Sequence, residues 1–360
     1  MASSPAPAAV IKCIVWDIDN TLLDGVYLES GEEPPPADPV LLGVLRELAG
    51  RGILQAVASR NPPAAADYVQ RLAGLDFAAA ECGWDGKPDA IRRIAACLDV
   101  PPDSMAFVDD DMVERAEVAA ALPGVLVLTP EGAAEAAGWP QFSPPVVTAE
   151  ARRRGQLYAE RQRRQAAGRA FGGSRAEFLK QVGTRVTIRP ATAADVPRLH
   201  ELSVRTHQLN SAGQSVAEAE LAGLVTSAGQ QVTTVRLADD FGDDGLVGAA
   251  IMTGNTGDAG PGPAVATAPL VMMSCRALGR GALDALLAWL CRSAAAAGAA
   301  ELTVPCLVTD RNVPFRLALA AAGFRAEPGA AGPDGRALFR RPLATELPSL
   351  PEFVVAPAPP

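Results

Sequence analysis

The chain has 360 residues, 49% of them hydrophobic, and a formal net charge of −9. A single core stops growing near ~250–300 residues, so two domains are expected. The acidic balance disfavours nucleic acid as a partner, and no apolar run reaches the ~18 residues that a transmembrane helix needs, so no membrane partner is expected.

Residues 1–9 are rich in Ala, Pro and Ser and are expected to be disordered; they lack the charged and apolar regions of a secretory signal. Six cysteines are scattered without a CxxC pair, which argues against structural zinc and a disulfide framework and fits a reducing cytoplasm. Ile11–Trp16 reads as a buried strand, and Asp38 can cap a helix running to about Arg51. A second buried strand, Ile53–Ala58, precedes a helix from Pro62 to Ala73. A helix from Pro88 to Leu98, a strand Met105–Val108, a helix from Met112 to Leu122 and a strand Val125–Leu128 follow. Strands alternating with helices at this spacing mean a parallel sheet covered on both faces, with ligands beyond the carboxyl ends of its strands.

From Pro130 to Gly183 the character changes, and the arginine-rich stretch through Arg169 predicts a helical connector. A new strand begins at Arg185, and Thr192 to Asp195 forms a capping-box pattern. Strands are expected near 231–237, 246–252, 264–274 and 301–306, with helices over 279–297 and 312–322. The resulting division is 1–9 as a disordered start, 10–145 and 184–343 as domains, 146–183 as a basic connector and 344–360 as a Pro-rich tail.

Asp17-Ile18-Asp19-Asn20-Thr21 follows the first strand directly. There Asp17 can attack phosphorus in line, and Asp19, two residues on, can protonate the leaving oxygen and later activate water. Thr21 can hydrogen-bond the phosphoryl group, as can Ser59 at the end of the second strand; Arg60 and Asn61 are counted with them as substrate contacts. Lys87, alone an ordinary surface lysine, can here neutralise charge between nucleophile and phosphate. Asp109 and Asp110 end the third strong strand, and with Asp17 they offer hard oxygen ligands that suit Mg2+; Asp19 is counted as a further candidate ligand. These pieces, in this order, resemble the haloacid dehalogenase (HAD) superfamily, and the resemblance implies an aspartyl-phosphate intermediate on Asp17. The intervals from Thr21 to Ser59 and from Ser59 to Lys87 hold no separate cap domain.

In the second half, Arg276-Ala277-Leu278-Gly279-Arg280-Gly281 lies between a strand and a helix, where backbone N–H groups can approach a pyrophosphate. With Asn312 to Phe315 and Ala322 to Phe324 it resembles the GNAT acyltransferases, and Arg276, Gly279, Arg280, Gly281 and Asn312 become candidates for holding a pantetheine arm. Cys275, just before the glycine turn, is a candidate thiol nucleophile. Of the two histidines, His200 reads as structural and His207 as a candidate base or polar substrate contact, with Asn210 beside it as a substrate contact.

The joined order is similar to the FkbH-like family, the HAD phosphatases of subfamily IIIC fused to a GNAT-like domain. The residues that carry it are Trp16 to Leu22, Cys82-Gly83-Trp84 with Lys87, Phe107 to Glu117, Arg205 to Asn210 and Met273 to Gly281. Leu22-Leu23-Asp24-Gly25 departs from the family, where Trp and a second Gly are common, and His207 stands where relatives often carry Asn. The resemblance implies taking a glyceryl unit from 1,3-bisphosphoglycerate, removing phosphate and loading D-glyceryl as a thioester on an acyl carrier protein for polyketide biosynthesis. The alternatives are a free-standing phosphatase with an inactive second domain, a non-catalytic carrier-protein scaffold and N-acetylation from acetyl-CoA.

Overall fold

The computed structural model describes residues 10–30, 33–144, 147–206, 208–227, 229–254, 264–327, 335–344 and 346–356. The chain separates into two compact units, Met1–Gln165 and Ala166–Pro360.

In the first unit, strand β1 (Cys13–Trp16) leads to helix α1 (Pro39–Gly50), β2 (Leu54–Ser59), α2 (Pro63–Ala73) and β3 (Ala79–Cys82). Then come α3 (Lys87–Leu98), β4 (Met105–Val108), α4 (Met112–Ala121), β5 (Leu126–Leu128), α5 (Pro130–Ala136), α6 (Ala149–Arg152) and α7 (Arg154–Ala170). The sheet order is β3-β2-β1-β4-β5, and every pair is parallel. Alternate residues of β1 supply both faces, as a two-residue period requires. Ile14 and Trp16 join the core with Leu45, Val69 and Ala133, while Cys13 and Val15 join that with Ile91, Phe107 and Val118. The Asp38 carboxylate accepts from the Val40 and Leu41 amides and starts α1, with Pro39 in its first turn. Strand β3 is not anticipated by hydrophobicity: of Ala79 to Cys82 only Ala79 is buried, which an edge position tolerates.

In the second unit, α8 (Arg175–Gln181) precedes β6 (Arg185–Pro190), α9 (Val196–Arg205), α10 (Glu218–Thr226), β7 (Gln230–Asp239), β8 (Gly242–Thr253) and β9 (Val265–Met273). Helix α11 (Ala282–Ala296), β10 (Glu301–Leu307), α12 (Val313–Ala321), β11 (Arg325–Ala326), β12 (Arg336–Pro342) and β13 (Val354–Val355) complete it. The order is β11-β12-β10-β9-β8-β7-β6-β13. Helix α11 packs Leu286, Trp289 and Leu290 into one core, and α9 packs Leu199 and Leu202 into another. The fold class is α/β in both units, a five-stranded parallel sheet followed by an eight-stranded mixed sheet, against the expectation of a HAD-like Rossmannoid domain without a large cap followed by a GNAT-like α/β domain.

One expectation is corrected, and one helix was not foreseen. The stretch 344–360 is not wholly a free tail, because Val354 and Val355 pair with Val186 and Thr187 along the edge of β6. Helix α10, with only Leu221 buried, carries too weak an apolar face to be seen in the sequence. No helix among the described residues is long and apolar enough to cross a membrane.

Candidate active site

Adjacent parallel strands β1 and β4 end side by side, with Trp16 opposite Val108, so Asp17 and Asp109 emerge as neighbours at the carboxyl edge. The Asp17 amide donates to Val108 O at 2.9 Å, which fixes the first of them to the end of β4. Lys87, the first residue of α3, reaches between them: its Nζ lies 2.6 Å from Asp17 Oδ1 and 2.9 Å from Asp109 Oδ2. All three are buried, at 7%, 1% and 3% exposure for Asp17, Asp109 and Lys87. A third carboxylate, Glu114 on the first turn of α4, lies 3.3 Å from the same ammonium and 3.0 Å from Arg60. One ammonium therefore faces three acids, an excess of negative charge that a divalent cation would relieve.

Burial is the largest influence on Asp17 and, with Asp109 beside it, pushes its pKa up to about 6 against the opposing pull of Lys87. Burial acts to lower the Lys87 pKa, but the Asp17 and Asp109 carboxylates outweigh it and the ammonium is held above the ordinary lysine value. Asp110 is raised as well, by burial first and by Asp109 second.

Carboxylate oxygens of Asp17, Asp109 and Asp110 all lie within 4.8 Å of one another, a hard-oxygen set that fits Mg2+. The Asp19 carboxylate is not one of this group. Its Oδ1 accepts from the Tyr27 amide at 2.9 Å and its Oδ2 from Asn61 Nδ2 at 2.8 Å. Asn61 is thereby turned onto Asp19 and, at 3.1 Å, onto Ser59 Oγ. Thr21 Oγ1 donates to Asp110 at 3.4 Å. The turn that carries Asp19 includes Asn20 in left-handed backbone (φ 50°), a conformation asparagine tolerates better than most side chains. Lys87 thus joins Asp17 and Asp109 directly and Arg60 through Glu114, Thr21 joins Asp110, and Asp19, Asn61 and Ser59 form a second hydrogen-bonded group. Sequence reasoning missed Glu114, although an acid one turn past the Asp111 cap of α4 projects back toward the end of β4.

The second unit places its candidates differently. Arg276 and Arg280 are buried at 6% and 3% exposure. Arg280 pairs with Asp239 at 2.6 Å and with Asp244, and Arg276 Nε lies 3.7 Å from Asp244. Both guanidiniums therefore have carboxylate partners already. Gly279 and Gly281 have the positive φ that glycine favours (68° and 73°), and Gly281 starts α11. Half-buried Cys275 opens the short turn after β9. Asn210 and Asn312 line one cavity of about 350 Å³ together with Gly213, Thr309, Asp310 and Arg311. Each is spent on its own loop: Asn210 Oδ1 accepts from Ala212 and Gly213, and Asn312 Oδ1 from Thr309. His207 lies outside the described residues.

No protein-family model matches the chain, and no curated protein matches it. Among solved structures it is similar to the N-terminal part of the Bacteroides fragilis protein BF1531, which contains a phosphatase domain complexed with Mg. The identity is 29% and the TM-score 0.30, over 35% of this chain and 38% of that one. It is also similar to 3-deoxy-D-manno-octulosonate 8-phosphate phosphatase from Moraxella catarrhalis, with magnesium and phosphate ions (24%, TM-score 0.26, 30% of this chain and 62% of that one). A GNAT-family protein from Desulfovibrio desulfuricans is 19% identical at TM-score 0.34, over 44% of this chain and 99% of that one. The chain thus spans less than two thirds of either phosphatase relative.

Proposed function

We propose that the first unit is a Mg2+-dependent phosphatase with Asp17 as its nucleophile, coupled to acyl transfer by the second unit. The observation that carries it is the Lys87 ammonium set between Asp17 and Asp109, 2.6 and 2.9 Å away, at the carboxyl edge of a parallel sheet. Asp17, Asp109 and Asp110 would hold the cation, which supplies charge neutralisation so that a phosphate dianion can approach the carboxylates. Asp17 Oδ attacks phosphorus, the bond to the leaving oxygen breaks, and Asp19 passes that oxygen a proton. Water then attacks the aspartyl phosphate while Asp19 takes its proton, which releases phosphate and restores Asp17. Lys87 offsets the charge that accumulates between carboxylate and phosphoryl oxygens.

The finer reading follows from the FkbH-like resemblance. The substrate is a phosphoglyceryl unit drawn from 1,3-bisphosphoglycerate, accepted by Cys275 and, after loss of phosphate, passed to the phosphopantetheine thiol of an acyl carrier protein. An acyl phosphate is already activated, so this transfer needs a thiolate and a leaving phosphate rather than ATP. Intact-protein mass spectrometry with 1,3-bisphosphoglycerate tests it. A glyceryl adduct on wild type, a phosphoglyceryl adduct on Asp17→Asn and none on Cys275→Ala are expected. No adduct on wild type while phosphate is still released would favour a free-standing phosphatase. That second reading draws on the ion pairs that occupy Arg276 and Arg280.

A further inference from the structure

Strands β9 and β10 run parallel, but they pair only at Val265–Thr267 with Glu301–Thr303 and then part. Parting strands expose edge N–H and C=O groups, and an extended ligand with secondary amides, such as a pantetheine arm, can pair with such an edge as an added strand. In this protein the opening is already filled. Leu209 to Ser211 enters it: Met273 N donates to Leu209 O at 2.8 Å, Asn210 bridges Met272 in antiparallel fashion, and Ser211 N donates to Val271 O at 3.0 Å. Val271 N donates to Ser211 Oγ at 2.9 Å, and from the other strand Leu307 N donates to Ser211 O at 2.8 Å. Ser211 is wholly buried. Asn210 folds the segment through its bonds to Ala212 and Gly213. Gly213 (φ 69°) has left-handed backbone that favours glycine, and a side chain there would have to displace that of Leu307.

A second, independent observation concerns the glycine turn that follows β9. Arg175 donates to Gly279 O and its guanidinium lies over Gly279, and the Phe353 ring stands 2.8 Å from where a Gly281 side chain would begin. Phe353 is held there by the two-residue strand β13, whose Val186 N–Phe353 O bond is 3.0 Å. Both places that would grip an extended amide ligand ending in phosphate are covered by the chain itself.

We propose that residues 209–213 are an internal competitor: a surrogate strand that closes the second unit and must leave before a pantetheine arm can enter between β9 and β10. The inference rests on the acyl-transfer reading of this unit but not on Asp17, so the phosphatase reading survives its failure. A closed state of this kind lowers apparent affinity by the fraction of open molecules.

The test uses the full chain with coenzyme A as probe, titrated by calorimetry against wild type and an Asn210→Ala/Ser211→Gly double variant. Neither substitution touches the phosphatase site. If the open state is a ~10% minority, the variant binds about tenfold more tightly. Hydrogen exchange on wild type keeps the test decisive even if the variant folds poorly: saturating probe should deprotect peptides covering 208–213 while Val271 and Met273 stay protected. Equal affinities with unchanged protection at 208–213, or no binding by either protein, would overturn the proposal.

Discussion

Lys87 Nζ sits 2.6 Å from Asp17 Oδ1, although 70 residues separate the two in sequence. Neither would be tolerable alone at this depth, since an unpaired buried charge costs several kcal/mol. The pair is stable because β1 delivers the acid, α3 begins at the base, and Asp109 and Glu114 close round the same ammonium.

Replacing Lys87 by Met should leave Asp17, Asp109 and Glu114 facing one another. In chelator the variant should lose about 3–5 kcal/mol of stability. Excess Mg2+ should recover much of that loss, because a cation binding only the folded state stabilises it by mass action. Urea melts with and without the metal would measure both terms, and a variant indifferent to Mg2+ would speak against a cation among these carboxylates.

The raised pKa of Asp17 has a sign that can be measured. Its folded value of about 6 exceeds the unfolded 3.8, so the folded form binds the proton more tightly. This group's contribution to stability is present below about pH 4 and is lost as pH rises toward 6. Metal-free protein should show that loss and Mg2+-loaded protein should not, as followed by thermal melts across the window.

Asp195 behaves in the opposite way. Burial alone would raise its pKa, but Arg189, which grips both oxygens at 2.8 Å, and Thr192 hold it at about 2. Its contribution is present above the unfolded value of 3.8 and is lost as pH falls toward 2. Asp195→Asn, which also weakens the cap, should cost about 1 kcal/mol at neutral pH and flatten the acid limb of the stability profile. A variant whose acid limb matches wild type would remove Asp195 from that role.

Local patterns were legible where one short segment decides the outcome. The apolar run before Asp17, the Asp38 cap and the Thr192–Asp195 capping box all form as the sequence suggests. The alternation of strands and helices was enough to assign the parallel sheet and the carboxyl edge at which Asp17 and Asp109 meet. What stayed hidden depends on residues far apart in the chain. Nothing local says that Arg276 and Arg280 will meet Asp239 and Asp244, or that Asn61 will turn onto Asp19. Strand β3 escaped notice because an edge strand needs little apolar surface, and β13 because two residues carry no period. Leu209 to Ser211 reads as an ordinary loop, and only the divergence of β9 from β10 makes it a strand partner.

Phosphorylation of the Asp17 side chain itself offers the most direct measurement. Wild type, Asp17→Asn and Asp19→Asn would be incubated with Mg2+ and an acyl phosphate, quenched in acid and mapped by peptide mass spectrometry. Asp19→Asn, which can no longer activate water, should accumulate one phosphoryl group on the peptide bearing Asp17, and Asp17→Asn should carry none. A phosphoryl group elsewhere, or phosphate release that persists in Asp17→Asn, would contradict the central claim.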